Sequence, residues 1–219
     1  MANSPAEINT PKVDRRVLRT RNALRIALME LVQEKDYDLI SVEEVAERAD
    51  VSRATFYLHF HDKEDLLMEE FYRMAKERVQ VYSELPASVW VAVVGADDPV
   101  GQPVMPLLKI FEHALENARL YRILLRPDSS RRLVDGIRQI TTQAFNEFLH
   151  TKFQNELLEL HPAVPVDLLS AYFSATLMST MGWWLEQEPR ISPQEVTRMF
   201  HILFFPGIKK AFGLENLPR

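Results

Sequence analysis

The stretch from Ser41 to Phe60, SVEEVAERADVSRATFYLHF, admits few folds. Ser41 followed three residues later by Glu44 is the reciprocal capping box that satisfies the free amides at a helix start. Val42, Val45 and Ala46 then recur at helical spacing, and Ala49 extends their face. Asp50 and Val51 interrupt the helix early. Aspartate tolerates a left-handed backbone better than most residues, so Asp50 can turn the chain sharply. Ser52 is placed to cap a second short helix through Arg53, Ala54, Thr55, Phe56 and Tyr57. Two short helices about a tight turn form the helix-turn-helix pattern, whose second helix enters the major groove of DNA.

The residue types suit that task. Val51 and Phe56 are apolar and are expected to pack on the first short helix, while Arg53, Ala54, Thr55 and Tyr57 face outward. Arginine pairs with guanine, alanine and threonine meet the thymine methyl, and tyrosine reaches phosphate. Short paired helices also occur in bundles that never touch DNA, so spacing alone leaves both readings open.

The run from Ser41 to Leu67, SVEEVAERADVSRATFYLHFHDKEDLL, resembles the DNA-binding domain of TetR-type transcriptional regulators. It carries the capped helix, the A-x-V-S turn, the T-F-Y-x-H-F block and the K-E-x-L-L helix start. The likeness is strong from about Arg19 to Phe71 and loose beyond. Asp50 and Asp36 stand where that family commonly has glycine. The resemblance implies a dimer built through the last two long helices as a four-helix bundle, and a C-terminal domain whose ligand releases DNA.

Among 219 residues the formal charge is −5, which at first sight argues against a nucleic-acid partner. Placement matters more than the total. Lys12, Arg15, Arg16, Arg19, Arg21 and Arg25 precede the helix-turn-helix with only Asp14 among them, and Arg53 and Lys63 add charge in and beside the second short helix. A basic leading edge on an acidic body turns one face toward phosphate. The DNA-contact candidates are therefore Ser41, Ser52, Arg53, Ala54, Thr55, Tyr57, His59 and Lys63, with Lys63 and His59 assigned to the phosphate backbone.

Hydrophobic periodicity predicts an all-α chain, and the resemblance implies its division into an N-terminal three-helix helix-turn-helix domain at 1–62, with a polar arm at its start, and a helical ligand-binding and dimerisation domain at 63–219. The first helix is expected over about Val13–Lys35, with Leu24, Ala27, Leu28, Leu31 and Val32 as its packing stripe. A fourth helix from Lys63 to about Leu85 connects the domains. Residues 86–106 hold a short apolar element at Val89–Val94 followed by a Pro- and Gly-rich loop containing Asp97 and Asp98. Helices follow at Leu107–Asn117, Ala118–Leu125, Ser130–Leu158 and Val166–Gln187. Ser192 to Glu195 is a second capping box, opening a last helix that Pro206 and Gly207 are expected to stop at Phe205.

Several functions are disfavoured. No apolar run is long enough to span a membrane, and 1–16 lacks the apolar core of a secretory signal, so the expectation is cytoplasmic. With no cysteine there is no disulfide or thiolate site, and no enzyme or cofactor motif appears. The block from His59 to Asp62 nominally offers metal ligands but is better explained as the end of the recognition helix.

The C-terminal domain carries adjacent Trp183 and Trp184. Neighbouring helical residues point about 100° apart, so one tryptophan is expected in a core or dimer contact and the other at a cavity. Met105, Phe111, His113, Tyr121 and Phe145 complete the pocket candidates, with ordinary core packing as the rival for each. The expected partners are operator DNA, a second copy of the chain and a small effector. The competing functions are an all-helical small-molecule-binding protein or enzyme with an incidental helix-turn-helix, and a helical adaptor for protein alone.

Overall fold

The computed structural model describes residues 15–95, 106–155, 162–187 and 191–212, and every regular element among them is helical. The chain forms two compact units, Met1–Leu67 and Met68–Arg219.

In the first unit, α1 (Arg15–Glu34) buries the stripe Leu24, Ala27, Leu28, Leu31 and Val32. A 3-10 turn at Tyr37–Leu39 follows, capped by Asp36, whose carboxylate accepts from the Asp38 amide. Asp36 holds an extended backbone, so no glycine is required there. The helix α2 (Val42–Arg48) opens on the complete Ser41–Glu44 capping box. It ends in a Schellman motif: the Val51 amide donates to the Ala46 carbonyl at 2.9 Å and the Asp50 amide to Glu47 at 3.0 Å. Asp50 has φ 55°, and is the only non-glycine with positive φ among the described residues. Ser52 caps α3 (Arg53–His59), its hydroxyl accepting from the Thr55 amide at 3.1 Å. Phe56 is fully buried against Phe60. Arg48 ties α2 to α1 through a two-pronged bond with Glu34, both at 2.8 Å.

The helix α4 (Lys63–Ser83) begins in the first unit and continues into the second. The boundary falls after Leu67 because the start of α4 is bonded into the first unit, Lys63 donating to carbonyls of the turn at residues 37–40.

The second unit adds α5 (Ala87–Gly95), α6 (Pro106–Glu116), α7 (Ala118–Leu125), α8 (Arg131–Asn155), α9 (Val166–Glu186) and α10 (Pro193–Ala211). The pairs α8–α9 and α7–α9 pack most extensively, with α10 against α6, α9 and α5. Small residues let backbones close: a Cβ on Gly136 of α8 would meet the Met68 sulfur of α4 at 2.6 Å. Buried polar groups are used as fasteners. The His201 Nε2–H of α10 donates to the Val93 carbonyl of α5 at 3.1 Å, and the Lys152 ammonium of α8 donates to Ser83 and Leu85 carbonyls at 2.8 and 2.6 Å, closing the end of α4.

The last helix does not stop at Phe205. It continues to Ala211 with Pro206 inside it. Proline removes one backbone bond, but Phe204, Phe205 and Ile208 keep the same face buried across it, and tertiary packing outweighs the break. The expected starting residue Val13, the loop carrying Asp97 and Asp98, and the end of the long helix at Leu158 lie outside the described residues.

Candidate nucleic-acid interface and effector cavity

Once Ser52 and the Asp50 turn have set its direction, α3 presents two faces. Phe56 is buried, while Arg53, Ala54, Tyr57 and Leu58 are exposed. Arg53 and Tyr57 lie one turn apart, with the guanidinium 5.5 Å from the ring centre and 3.4 Å from the hydroxyl. Arg53 also pairs with Glu43 of α2, which holds the fork at the surface. Its pKa is raised, first by the bond to Tyr57 and then by the Glu43 charge, so it is a permanent cation. Thr55 is half-buried and its hydroxyl meets that of Ser52 at 2.9 Å. Ser41 and Ser52 are engaged as helix caps.

Two basic residues make contacts within the first unit. The Lys63 ammonium, expected on a DNA phosphate, donates to the carbonyls of Tyr37 and Ile40 at 2.7 and 2.9 Å and lies 4.3 Å from the Tyr37 ring centre. A sequence reading sees a cation at a helix start; only the fold brings the Tyr37 and Ile40 carbonyls within its reach. Arg21 covers the Phe60 ring at 4.5 Å and donates to the His59 carbonyl at 3.2 Å, fixing the end of α3. His59 itself is half-buried. Arg15, Arg16 and Arg19 remain exposed on α1, and Lys12 lies outside the described residues. Leu58, 81% exposed on α3, was not singled out by sequence; an apolar residue at an exposed helical position was the available signal.

The second unit holds a cavity of about 210 Å³. Of the pocket candidates, His113, Tyr121 and Phe145 line it. Phe111 and Trp184 do not. Both are fully buried, with rings in edge-to-face contact at 5.7 Å, and the Trp184 indole N–H donates to the Ile191 carbonyl at 2.9 Å. Trp184 is therefore core, its polar atom already satisfied. Trp183 points the other way, 46% exposed, beside a separate groove next to Gly182. Met105 lies outside the described residues.

The lining beyond those candidates includes the aromatics Trp90 from α5, Phe148 from α8, Phe173 from α9 and Phe204 from α10. Phe145 stacks on Phe173 at 3.9 Å and Trp90 meets Phe148 at 4.8 Å. These positions come from four different helices, so periodicity along any one of them does not separate cavity from core. His113 shares a 3.3 Å contact with the Tyr121 hydroxyl, and burial followed by the Arg78 charge lowers its pKa, leaving a neutral imidazole. No cluster suited to a metal ion occurs among the described residues, and none of their helices is long and apolar enough to cross a membrane.

Comparison with known proteins agrees with this geometry. Residues 26–69 match the model of bacterial regulatory proteins of the tetR family, and residues 105–205 match that of a transcriptional regulator C-terminal region. The chain belongs to the TetR family of transcriptional regulators. An uncharacterized HTH-type transcriptional regulator of Bacillus subtilis, YxbF, is 40% identical over 67 residues, which is 30% of this chain and 18% of that protein. The likeness to such relatives is thus confined to a minor part of their length. Among solved structures, a putative TetR-family regulator from Syntrophomonas wolfei aligns over 92% of this chain and 99% of its own, at 19% identity and TM-score 0.61. FadR from Bacillus subtilis in complex with stearoyl-CoA aligns over 85% of this chain and 98% of its own, at 20% identity and TM-score 0.58. At these identities the likeness concerns the fold.

Proposed function

We propose that this TetR-family chain is a sequence-specific DNA-binding regulator, acting as a homodimeric repressor in the cytoplasm whose operator affinity is lowered by a small effector in the second unit. The observation that carries the DNA reading is the exposed Arg53–Tyr57 face of a capped helix set by the Asp50 turn. An arginine fork held at the surface is the commonest reader of guanine, and it supplies sequence information that phosphate contacts lack. The helices α9 and α10 leave Tyr172, Trp183, Met199, Ile202 and Leu203 exposed, more apolar surface than a lone helical unit usually shows. Two copies joined there would present two α3 helices to two half-sites.

The cavity supports the effector role, as does the acyl-CoA named with the FadR structure of the same fold. An effector lowers DNA affinity only if it binds one state of the dimer more tightly than the other, and the coupling is reciprocal.

Mobility-shift titration against the DNA upstream of the chain's own coding region tests the proposal. Arg53→Ala should weaken operator binding about ten- to a hundred-fold and leave random DNA nearly unaffected. Equal loss on both DNAs, or no binding by the wild type, overturns it.

A further inference from the structure

Two residues that line the cavity carry buried donors to spare. The Trp90 indole N–H is buried with no hydrogen-bond partner among the described residues, and the buried Tyr82 hydroxyl accepts at most from Arg78, leaving its own O–H to donate. Both side chains line the cavity, their rings 6.0 Å apart in edge-to-face contact. Tyr82 is 9% exposed. Leaving a buried donor unpaired is costly, and two such donors on neighbouring lining residues favour a polar group of the ligand beside them. The indole offers only a donor and the phenol offers one, so the complementary group is an acceptor.

Charge narrows the choice. Among the described lining residues the charged side chains are Arg78 and Lys152, both cationic, and none is acidic. Arg78 lies one turn before Tyr82 on α4, and its charge is felt by Tyr82, His113 and Tyr121 together. The Lys152 ammonium, held by the Ser83 and Leu85 carbonyls, adds positive charge just past Tyr82. Glu112 is felt by Tyr82, and Glu77 and Glu116 by His113, but these three do not line the cavity. A buried anion with a cation and two donors beside it avoids most of the desolvation cost, whereas a buried cation there would face like charge.

Size sets the rest. An engineered apolar cavity of about 150 Å³ holds benzene, and this one measures about 210 Å³. We infer that the cavity binds a compact apolar monocarboxylate of roughly ten non-hydrogen atoms, its hydrocarbon part against Phe145, Phe148 and Phe173 and its carboxylate toward Arg78, Tyr82 and Trp90. This rests on reading the cavity as an effector site.

Calorimetric titration of the full-length protein with phenylacetate and octanoate, and with their neutral primary amides, tests it. At least one acid should bind ten-fold or more tighter than its amide. Tyr82→Phe, which removes only the hydroxyl, and Arg78→Met should each abolish most of that preference in proteins whose circular dichroism is unchanged. Amides equal to their acids, a preference that survives both substitutions, or no binding by any of the four compounds overturns the inference. Repeating the titration with operator DNA keeps the two claims apart. An acid preference with no effect of DNA defeats the switch alone; release of DNA by acid and amide alike defeats the carboxylate alone.

Discussion

Lys63 donates to the main-chain carbonyl of Tyr37 at 2.7 Å while its ammonium sits 4.3 Å from the centre of the same residue's ring. One cation thus satisfies carbonyls of the 3-10 turn and covers the aromatic face beneath it. A hydrogen bond from a charged donor to a part-buried acceptor contributes more than a neutral one, about 2 kcal/mol. Lys63→Met should therefore lower the stability of the first unit by about 2 kcal/mol, read from urea unfolding followed by circular dichroism. The slope of log K against log salt for operator binding should stay unchanged in the folded variant. A slope reduced by about one would place Lys63 among the phosphate contacts.

Asp50 holds φ 55° at the end of α2, a conformation that glycine adopts without steric cost. Asp50→Gly should raise stability by about 0.5–1 kcal/mol, less the added entropy of the unfolded chain, and leave DNA affinity intact. Asp50→Val should destabilise by more than that, because a β-branched side chain crowds the left-handed region. Thermal denaturation of the two variants side by side decides it; Val tolerated as well as Gly would mean the turn relaxes.

Glu44 couples the fold to pH. The bond from Lys35, then those from the Ser41 amide and hydroxyl, hold its carboxyl down at about 2 against an ordinary value of 4.5. A carboxyl whose folded pKa lies below its unfolded one stabilises fully above the unfolded value and loses that contribution as pH falls toward the folded one. The group is at the surface, so solvent and salt weaken the effect. Glu44→Gln keeps a capping acceptor but loses the charge. Its deficit in urea midpoint should be largest above pH 4.5 and shrink as pH falls toward about 2. A deficit constant across that window would assign the loss to packing instead.

Ile202 and Leu203 are 68% and 79% exposed on α10, adjacent to one another and to Met199 one turn back. Replacing Leu203 by Asp should leave a folded protein, since the side chain touches little within its own unit. Sedimentation velocity at micromolar concentration should then show monomer where the wild type shows dimer. Operator affinity should fall more than ten-fold, because two half-sites are no longer read by one particle. A variant that sediments as a dimer would move the interface elsewhere.

The sequence by itself determined the parts governed by local chemistry. Both capping boxes, the turn at Asp50, the buried stripe of α1 and the outward Arg53–Tyr57 pair each follow from residues within a few positions of one another, and the structure holds them as read. Only the tertiary structure decided what depends on distant partners. Lys63 is tied into the first unit because carbonyls at Tyr37 and Ile40, far back in the chain, lie within its reach. Trp184 went to the core and Trp183 to the surface because Phe111 and the Ile191 carbonyl wait on one side of α9 only. Pro206 failed to end α10 because buried aromatic packing outweighs one missing amide. The cavity formed where Trp90, Phe148 and Phe173 converge from three helices, and no spacing along one helix encodes a space between several.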